Sequence, residues 1–293
     1  MHDSAASGSA RMLFEAHQRT FEANRYVYPV LSRRAGGLSI GINLNPDKIC
    51  NFDCVYCQVD RRQAALKQPV DIGVLSDELE RMVNLVVSER IYEETRFRAT
   101  PAELRRLNDI AFSGDGEPTT FPNFDQAVAA CAEVRRRHRL DSAKLVLITN
   151  ATMFHRERVR RALELLDANN GEVWAKLDAG TEAYYLEIAR TVIPFRRILE
   201  NLQSAARLRP IVVQSLFMRI RGRGPDKAEL QAYGDRLQEI LAAGGQIKLV
   251  QVHTVVRGPA ERWVTPLPNA EVDAIVDQIR ERTSLPVAAY YAT

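Results

Sequence analysis

The segment NPDKICNFDCVYCQVDRR carries three of the chain's four cysteines within eight residues, Cys50, Cys54 and Cys57, spaced C-x3-C-x2-C. Thiolates are the natural ligands of iron–sulfur clusters. Three of them on one short loop can bind three irons of a four-iron cube. The fourth iron then lacks a protein ligand, and an open coordination position lets a metal centre bind substrate. The alternative is structural zinc, which prefers four ligands, usually as two separated pairs. The remaining thiol, Cys131, lies on the apolar face of a helical stripe and reads as a buried core thiol. No histidine (His2, His17, His138, His155, His253) is near the triad in sequence. A disulfide framework would spread its cysteines along the chain, so the clustered thiols point to metal.

Other polar residues interrupt or follow apolar runs. SGDGEPTTFP contains Gly114, Asp115, Gly116 and Glu117, followed by Pro118. Glycine lets backbone approach a ligand closely and a carboxylate suits an ammonium group; alone, the same residues make an ordinary turn. Thr149-Asn150 closes one apolar run, and Lys176-Leu177-Asp178-Ala179-Gly180 closes another. Lys176 and Asp178 share one strand face by the two-residue period. The plainer alternatives are that Asn150 begins a turn and that Lys176 is solvated. Gln214 and Gln251 stand inside apolar strands, either lining an interior or forming satisfied buried amides. MRIRGRGP reads as a flexible basic loop in which Arg219, Arg221 and Arg223 receive an anionic group. A second basic run, Arg135 to Arg139, reads as a solvated helix end whose cations suit the helix dipole. Neither run has the interleaved aromatics of a single-strand nucleic-acid platform.

These residues need elements to place them. LSIGINL (Leu38 to Leu44), DIAFS (Asp109 to Ser113), KLVLIT (Lys144 to Thr149), EVWAKL (Glu172 to Leu177), IVVQSLFM (Ile211 to Met218) and IKLVQVHTV (Ile247 to Val255) read as strands. PVAAYY (Pro286 to Tyr291) is a candidate seventh, edge strand. Between them, apolar residues recur at helical spacing, as in Leu79, Met82, Val83 and Val86, or Ile198, Leu199, Leu202 and Ala205. Alternating strands and helices imply a parallel sheet with right-handed crossovers, closed or partly open as a barrel. Barrel enzymes place their chemistry in the loops after the strands, where these polar residues fall. Residues 1–37 read as an N-terminal extension packing on the body, and 38–293 as the core with a C-terminal helix.

The chain has 293 residues, 46% hydrophobic and 26% charged, with a net charge of +3, the composition of a globular protein with a large core. The charge balance alone selects no partner. No apolar run approaches the length needed to cross a bilayer. MHDSAASGSA lacks the basic-then-apolar order of a secretory signal, so the expected location is cytoplasmic.

The C-x3-C-x2-C loop after the first strand, with Tyr56 just before the last cysteine, resembles the signature of radical S-adenosylmethionine (radical SAM) enzymes. The resemblance extends from about Leu38 to Val255. It implies an α/β fold, a partial (β/α)6 barrel. It also implies a [4Fe–4S] cluster on Cys50, Cys54 and Cys57 that cleaves S-adenosylmethionine (SAM) reductively, the resulting radical abstracting hydrogen from a substrate. The cofactor carries that chemistry while the protein positions and shields it. By the same resemblance, Gly114, Gly116 and Glu117 correspond to the family's Gly-Gly-Glu motif for the SAM amino group, with Asp115 interrupting it. Asn150, Lys176 and Asp178 become candidates for ribose and carboxylate contacts, beside Tyr56. An electron donor such as flavodoxin or ferredoxin is implied. Around the triad and Ser113-Gly114-Asp115-Gly116-Glu117-Pro118-Thr119 the chain is most similar to the branch containing wyosine-type tRNA-modifying enzymes, without the cysteines for their second cluster. The expected activity is an oxidoreductase-type modification of an anionic substrate, an RNA or a metabolite. The alternatives are a glycyl-radical-type activase of a partner protein, or a non-catalytic iron–sulfur or zinc-binding protein.

Overall fold

A computed structural model describes residues 19–32, 34–61, 65, 68–259 and 261–292. Residues 1–18, read above as the start of an extension without a secretory pattern and including His2 and His17, lie outside the described residues. The chain divides into two compact units: Met1–Ile49, Ala65–Leu147 and Arg161–Gly171 form one, and Cys50–Ala64, Ile148–Arg160 and Glu172–Thr293 the other.

In the first unit, β1 (Val27–Ser32) runs antiparallel to β2 (Gly37–Ile42), with Val27 opposite Ile42 and Ser32 opposite Gly37. Helix α1 (Ile72–Val87) begins at Asp71, whose carboxylate caps Val74 N at 3.0 Å. Its buried stripe of Leu75, Leu79, Met82, Val83 and Val86 also carries the buried Glu78. That carboxylate accepts from the backbone N–H groups of Arg25, Tyr26 and Val27 at 2.8, 2.9 and 3.2 Å. It satisfies donors at the start of β1 that would otherwise be buried unpaired. Strand β3 (Leu107–Phe112) runs parallel to β2, α2 (Phe124–Arg137) follows, and β4 (Lys144–Thr149) pairs parallel with β3. Cys131 is fully buried on α2, where burial pushes its thiol up. Helix α3 (Glu157–Asp167) comes next in the chain.

The second unit is built on β5 (Gly171–Lys176), α4 (Glu182–Ala189), α5 (Phe195–Leu208), β6 (Ile211–Leu216), β7 (Arg219–Ile220), α6 (Lys227–Ala242), β8 (Ile247–His253), β9 (Val264–Thr265), α7 (Asn269–Thr283) and β10 (Val287–Tyr290). Strands β5, β6, β8 and β10 pair in parallel in that order. The register sets Lys176, Gln214, Gln251 and Ala288 in one row. The run PVAAYY is thus a parallel strand added beside β8. Among the described residues, no helix is long and apolar enough to cross a membrane.

Two sequence expectations are corrected here. MRIRGRGP is a tight hairpin: Ile220 and Arg223 exchange both backbone hydrogen bonds, at 2.8 and 3.0 Å, across Arg221 and Gly222. Both of those residues have positive φ, +50° and +80°, the two-residue turn that matches strand twist and favours glycine. Strand β7 pairs with β9, Arg219 is bonded to Glu271 and the Gly222 carbonyl, and the Arg221 guanidinium lies 4.8 Å from the Trp263 ring centroid. The second basic run is not wholly solvated either. Arg135 is buried, donating to the carbonyls of Ala143 and Asp141, both at 2.7 Å, so it closes the turn after α2.

Candidate cofactor site

The cysteine loop belongs to the second unit and is fastened at several points. Asp53 N donates to Ala189 O at 3.0 Å and Val55 N to Ile188 O at 2.9 Å, tying the loop to the last turn of α4. Asn51 Nδ2 donates to Thr152 Oγ1 at 2.7 Å, and Asn150 Nδ2 donates to Asn51 Oδ1 at 2.8 Å. Thr191 Oγ1 donates to the Asn51 carbonyl at 2.9 Å. Asn150 is therefore a brace for the cysteine loop, placed there by the end of β4. Cys57 N bonds Cys54 O at 2.9 Å, which turns the loop between those cysteines.

Against this loop stands a polar cluster. The Lys176 ammonium lies 3.0 Å from the Tyr56 hydroxyl and 4.6 Å from the centroid of its ring. The Tyr56 hydroxyl donates to Asp178 Oδ2, and Asp178 Oδ1 accepts from Leu216 N at 2.8 Å. Lys176 and Asp178 share one face of β5 and its extension, as their spacing predicts. Burial pushes the Cys54 thiol up to about 12, opposed by Lys176 and reinforced by Asp178. Burial, then the Asp178 charge, also holds the Tyr56 phenol well above its ordinary value.

Phe52, Tyr56, Asn150, Lys176, Asp178 and Tyr185 line a small cleft, with aliphatic residues of α4 and α5 completing it. Phe52 meets Tyr185 edge-on at 5.9 Å, and Tyr185 stacks on Phe195 at 4.8 Å. A wall of aromatic and aliphatic carbon with a few convergent polar groups is the usual make-up of a small-molecule site. Gln214 and Gln251 satisfy each other, Nε2 to Oε1 at 2.7 Å.

The Gly114–Glu117 stretch lies in the first unit, after β3. Asp115, the residue that interrupts the two glycines, turns its carboxylate to Arg19 at 2.6 Å and to Asn43 Nδ2 at 2.7 Å. Asn43 Oδ1 accepts from Asp115 N and Asn45 N, both at 3.1 Å. A Cβ on Gly114 would stand 2.3 Å from Asn43 Oδ1, and one on Gly116 2.2 Å from the Ile49 carbonyl oxygen. The protein itself crowds both positions, which excludes any side chain there. Glu117 is buried, and its Oε1 accepts from Thr119 N at 3.2 Å and from the Thr119 hydroxyl. Asn43, Asn45 and Asn51 were not singled out from the sequence. The alternation of Asn43 and Asn45 directly after an apolar strand was the available signal.

Among the described residues, no three Cys, His, Asp or Glu side chains are already gathered around a metal-ion position. The donor set nevertheless fits an iron–sulfur cluster. Cys50, Cys54 and Cys57 are free of disulfides and partly exposed, on a loop whose backbone is anchored independently of them.

A family model described as "Radical SAM superfamily" matches residues 44–227. The chain belongs to the radical SAM superfamily. Its solved relatives share its fold at low sequence identity. A radical SAM methyltransferase from Sphaerobacter thermophilus superposes with a TM-score of 0.62, at 12% identity, covering 90% of this chain and 69% of the other. TYW1 with a lysine–pyruvate adduct bound, of the wyosine branch, gives 0.53 at 13% identity, covering 94% and 81%. The fold is thus the α/β partial barrel of radical SAM enzymes. The UPF0026 protein of Methanocaldococcus jannaschii is 30% identical over 162 residues, 55% of this chain and 43% of that protein. The chain therefore spans less than half the length of this curated relative. Membership in the superfamily implies the [4Fe–4S] cluster and SAM, and the three cysteines it requires are present.

Proposed function

We propose that this chain is a cytoplasmic radical SAM oxidoreductase that removes a hydrogen atom from an anionic substrate, an RNA or a small metabolite. The observation that carries the reading is the cysteine loop fastened beside a cleft into which Tyr56, Lys176 and Asp178 converge. When bound, the cluster supplies the electron that cleaves SAM. The protein's residues bind and orient. Cys50, Cys54 and Cys57 hold three irons. Lys176 pairs the methionyl carboxylate, and Asp178 offers an acceptor to the ribose. Asn150, whose Oδ1 already accepts from the Thr152 N–H and hydroxyl, lines the cofactor cleft and holds the cysteine loop beside it. Phe52, Tyr56 and Tyr185 cover the nucleoside and exclude water. Gly114, Gly116 and Glu117 take the amino group. A flavodoxin or ferredoxin delivers the electron.

The exposed Arg221 and Arg223 of the hairpin in the second unit agree with an anionic substrate. The test is anaerobic reconstitution followed by iron and sulfide analysis, then incubation with SAM and a strong reductant. About four irons and four sulfides per chain and release of 5′-deoxyadenosine with methionine are expected. Stoichiometric zinc without iron, or intact SAM after reduction, overturns the reading.

A further inference from the structure

Asn45 is buried, only 6% exposed, and one of its two polar ends has no use inside the protein. Its Nδ2 donates to Thr120 Oγ1 at 3.2 Å. The Thr120 hydroxyl in turn donates to the Glu117 carbonyl at 2.7 Å. A hydroxyl has one proton, so with that proton committed Thr120 offers Asn45 only lone pairs. The amide therefore cannot be turned round. Its NH2 faces Thr120, and Oδ1 is left as a buried acceptor without a hydrogen-bond partner. Leaving such an acceptor unpaired is costly, and its persistence points to a donor that arrives from outside the chain.

The position of that oxygen narrows the donor. A Cβ on Gly116 would stand 2.8 Å from both Cβ and Cγ of Asn45, so the amide lies directly on the Gly116 backbone. Gly116 also packs against the carbonyl of Ile49, the residue that precedes Cys50 in sequence. Asn43 gives the contrast. Both of its polar ends are engaged within the loop, Oδ1 accepting twice and Nδ2 donating once. Of two asparagines alternating after β2, one builds the loop and the other presents an acceptor at it.

We propose that Asn45 is a further cofactor-binding residue, whose Oδ1 accepts a hydrogen bond from the ammonium of SAM's methionyl moiety. This rests on the radical SAM reading. An amide oxygen held against the backbone of Gly116, the residue before Glu117, accepts a proton of a cation without adding a buried negative charge. The assignment separates the amino-acid half of SAM from its nucleoside half, and two probes read them apart. 5′-Deoxy-5′-methylthioadenosine shares the nucleoside and S-methyl group of SAM, with a neutral thioether in place of the sulfonium, and lacks the amino acid.

The experiment titrates both compounds into the anaerobically reconstituted protein by calorimetry. Asn45→Ala is expected to weaken SAM roughly tenfold or more and to leave methylthioadenosine unchanged. Asn45→Asp keeps an acceptor oxygen and is expected to retain the native preference for SAM over methylthioadenosine. Unchanged SAM affinity in Asn45→Ala, or equal losses for both ligands, overturns the assignment. Should thermal melting show that Asn45→Ala does not fold, Asn45→Asp decides, and a selective loss of SAM binding there overturns it. A native protein that binds no SAM overturns the radical SAM reading and this assignment together, whereas native SAM binding with an indifferent Asn45→Ala overturns this assignment alone.

Discussion

The ammonium of Lys176 sits 4.6 Å over the ring of Tyr56 and 3.0 Å from its hydroxyl, so the aromatic residue of the cysteine motif and the end of β5 form one cationic corner. A cation held against an aromatic face and a carboxylate is oriented before any ligand arrives. Lys176→Met is expected to leave iron binding intact while raising the dissociation constant of SAM about tenfold, the worth of one charge-assisted contact. Calorimetry on the reconstituted variant checks both halves of the statement.

Replacing Cys50, Cys54 or Cys57 by Ala is expected to abolish the visible absorption of the cluster and its bound iron. Cys131→Ala should keep both, because that thiol is fully enclosed on α2. Its cost should appear only as a lower melting temperature, from the small void left in the core. Iron analysis beside thermal melting distinguishes the two kinds of cysteine.

Glu117 serves Thr119 as well as the proposed amino group, and the two roles separate by mutation. Glu117→Ala should weaken SAM binding and also lower stability by about 1–3 kcal/mol, the cost of stranding buried donors. Thr119→Val should lower stability without a selective loss of SAM over methylthioadenosine. Parallel ligand titrations and chemical denaturation test this, and unchanged SAM affinity in Glu117→Ala would reject its part in the site.

The facing amides of Gln214 and Gln251 offer a test that needs no cofactor. Gln214→Leu alone leaves the Gln251 amide buried without the partner it has at 2.7 Å, and should cost about 1–3 kcal/mol. The double change to Leu removes both polar ends and should recover most of that loss. A denaturant-based double-mutant cycle gives the coupling; additive losses would mean that the pair is not the relevant contact.

How far the sequence could be read depended on where the deciding contact lay. KLVLIT has the same bounds as β4 because a continuous apolar run between polar ends leaves little choice. The cysteine triad was legible because three ligands sit on one short loop. The hairpin at Arg219–Arg223 was not, since a glycine-rich basic segment looks the same whether free or paired, and its partner β9 lies some forty residues away. Asp115 was legible only as an interruption, because its reason, the ion pair with Arg19, spans 96 positions. Arg135 misled for the same cause: a cation at a helix end is ordinarily solvated, and only the returning carbonyls of Asp141 and Ala143 draw it inside.

The carboxylate of Glu78 bears on the order of events during synthesis. Arg25, Tyr26 and Val27 wait for an acceptor 51 to 53 residues further along the chain. At about 5–20 residues per second, the start of β1 spends several seconds outside the ribosome with those N–H groups turned to water, even if its hairpin with β2 has formed. Completion of α1 is what supplies those three N–H groups with their acceptor. A pause in translation before residue 78 therefore prolongs an interval in which the start of a nascent β1 can pair with another chain instead of its own.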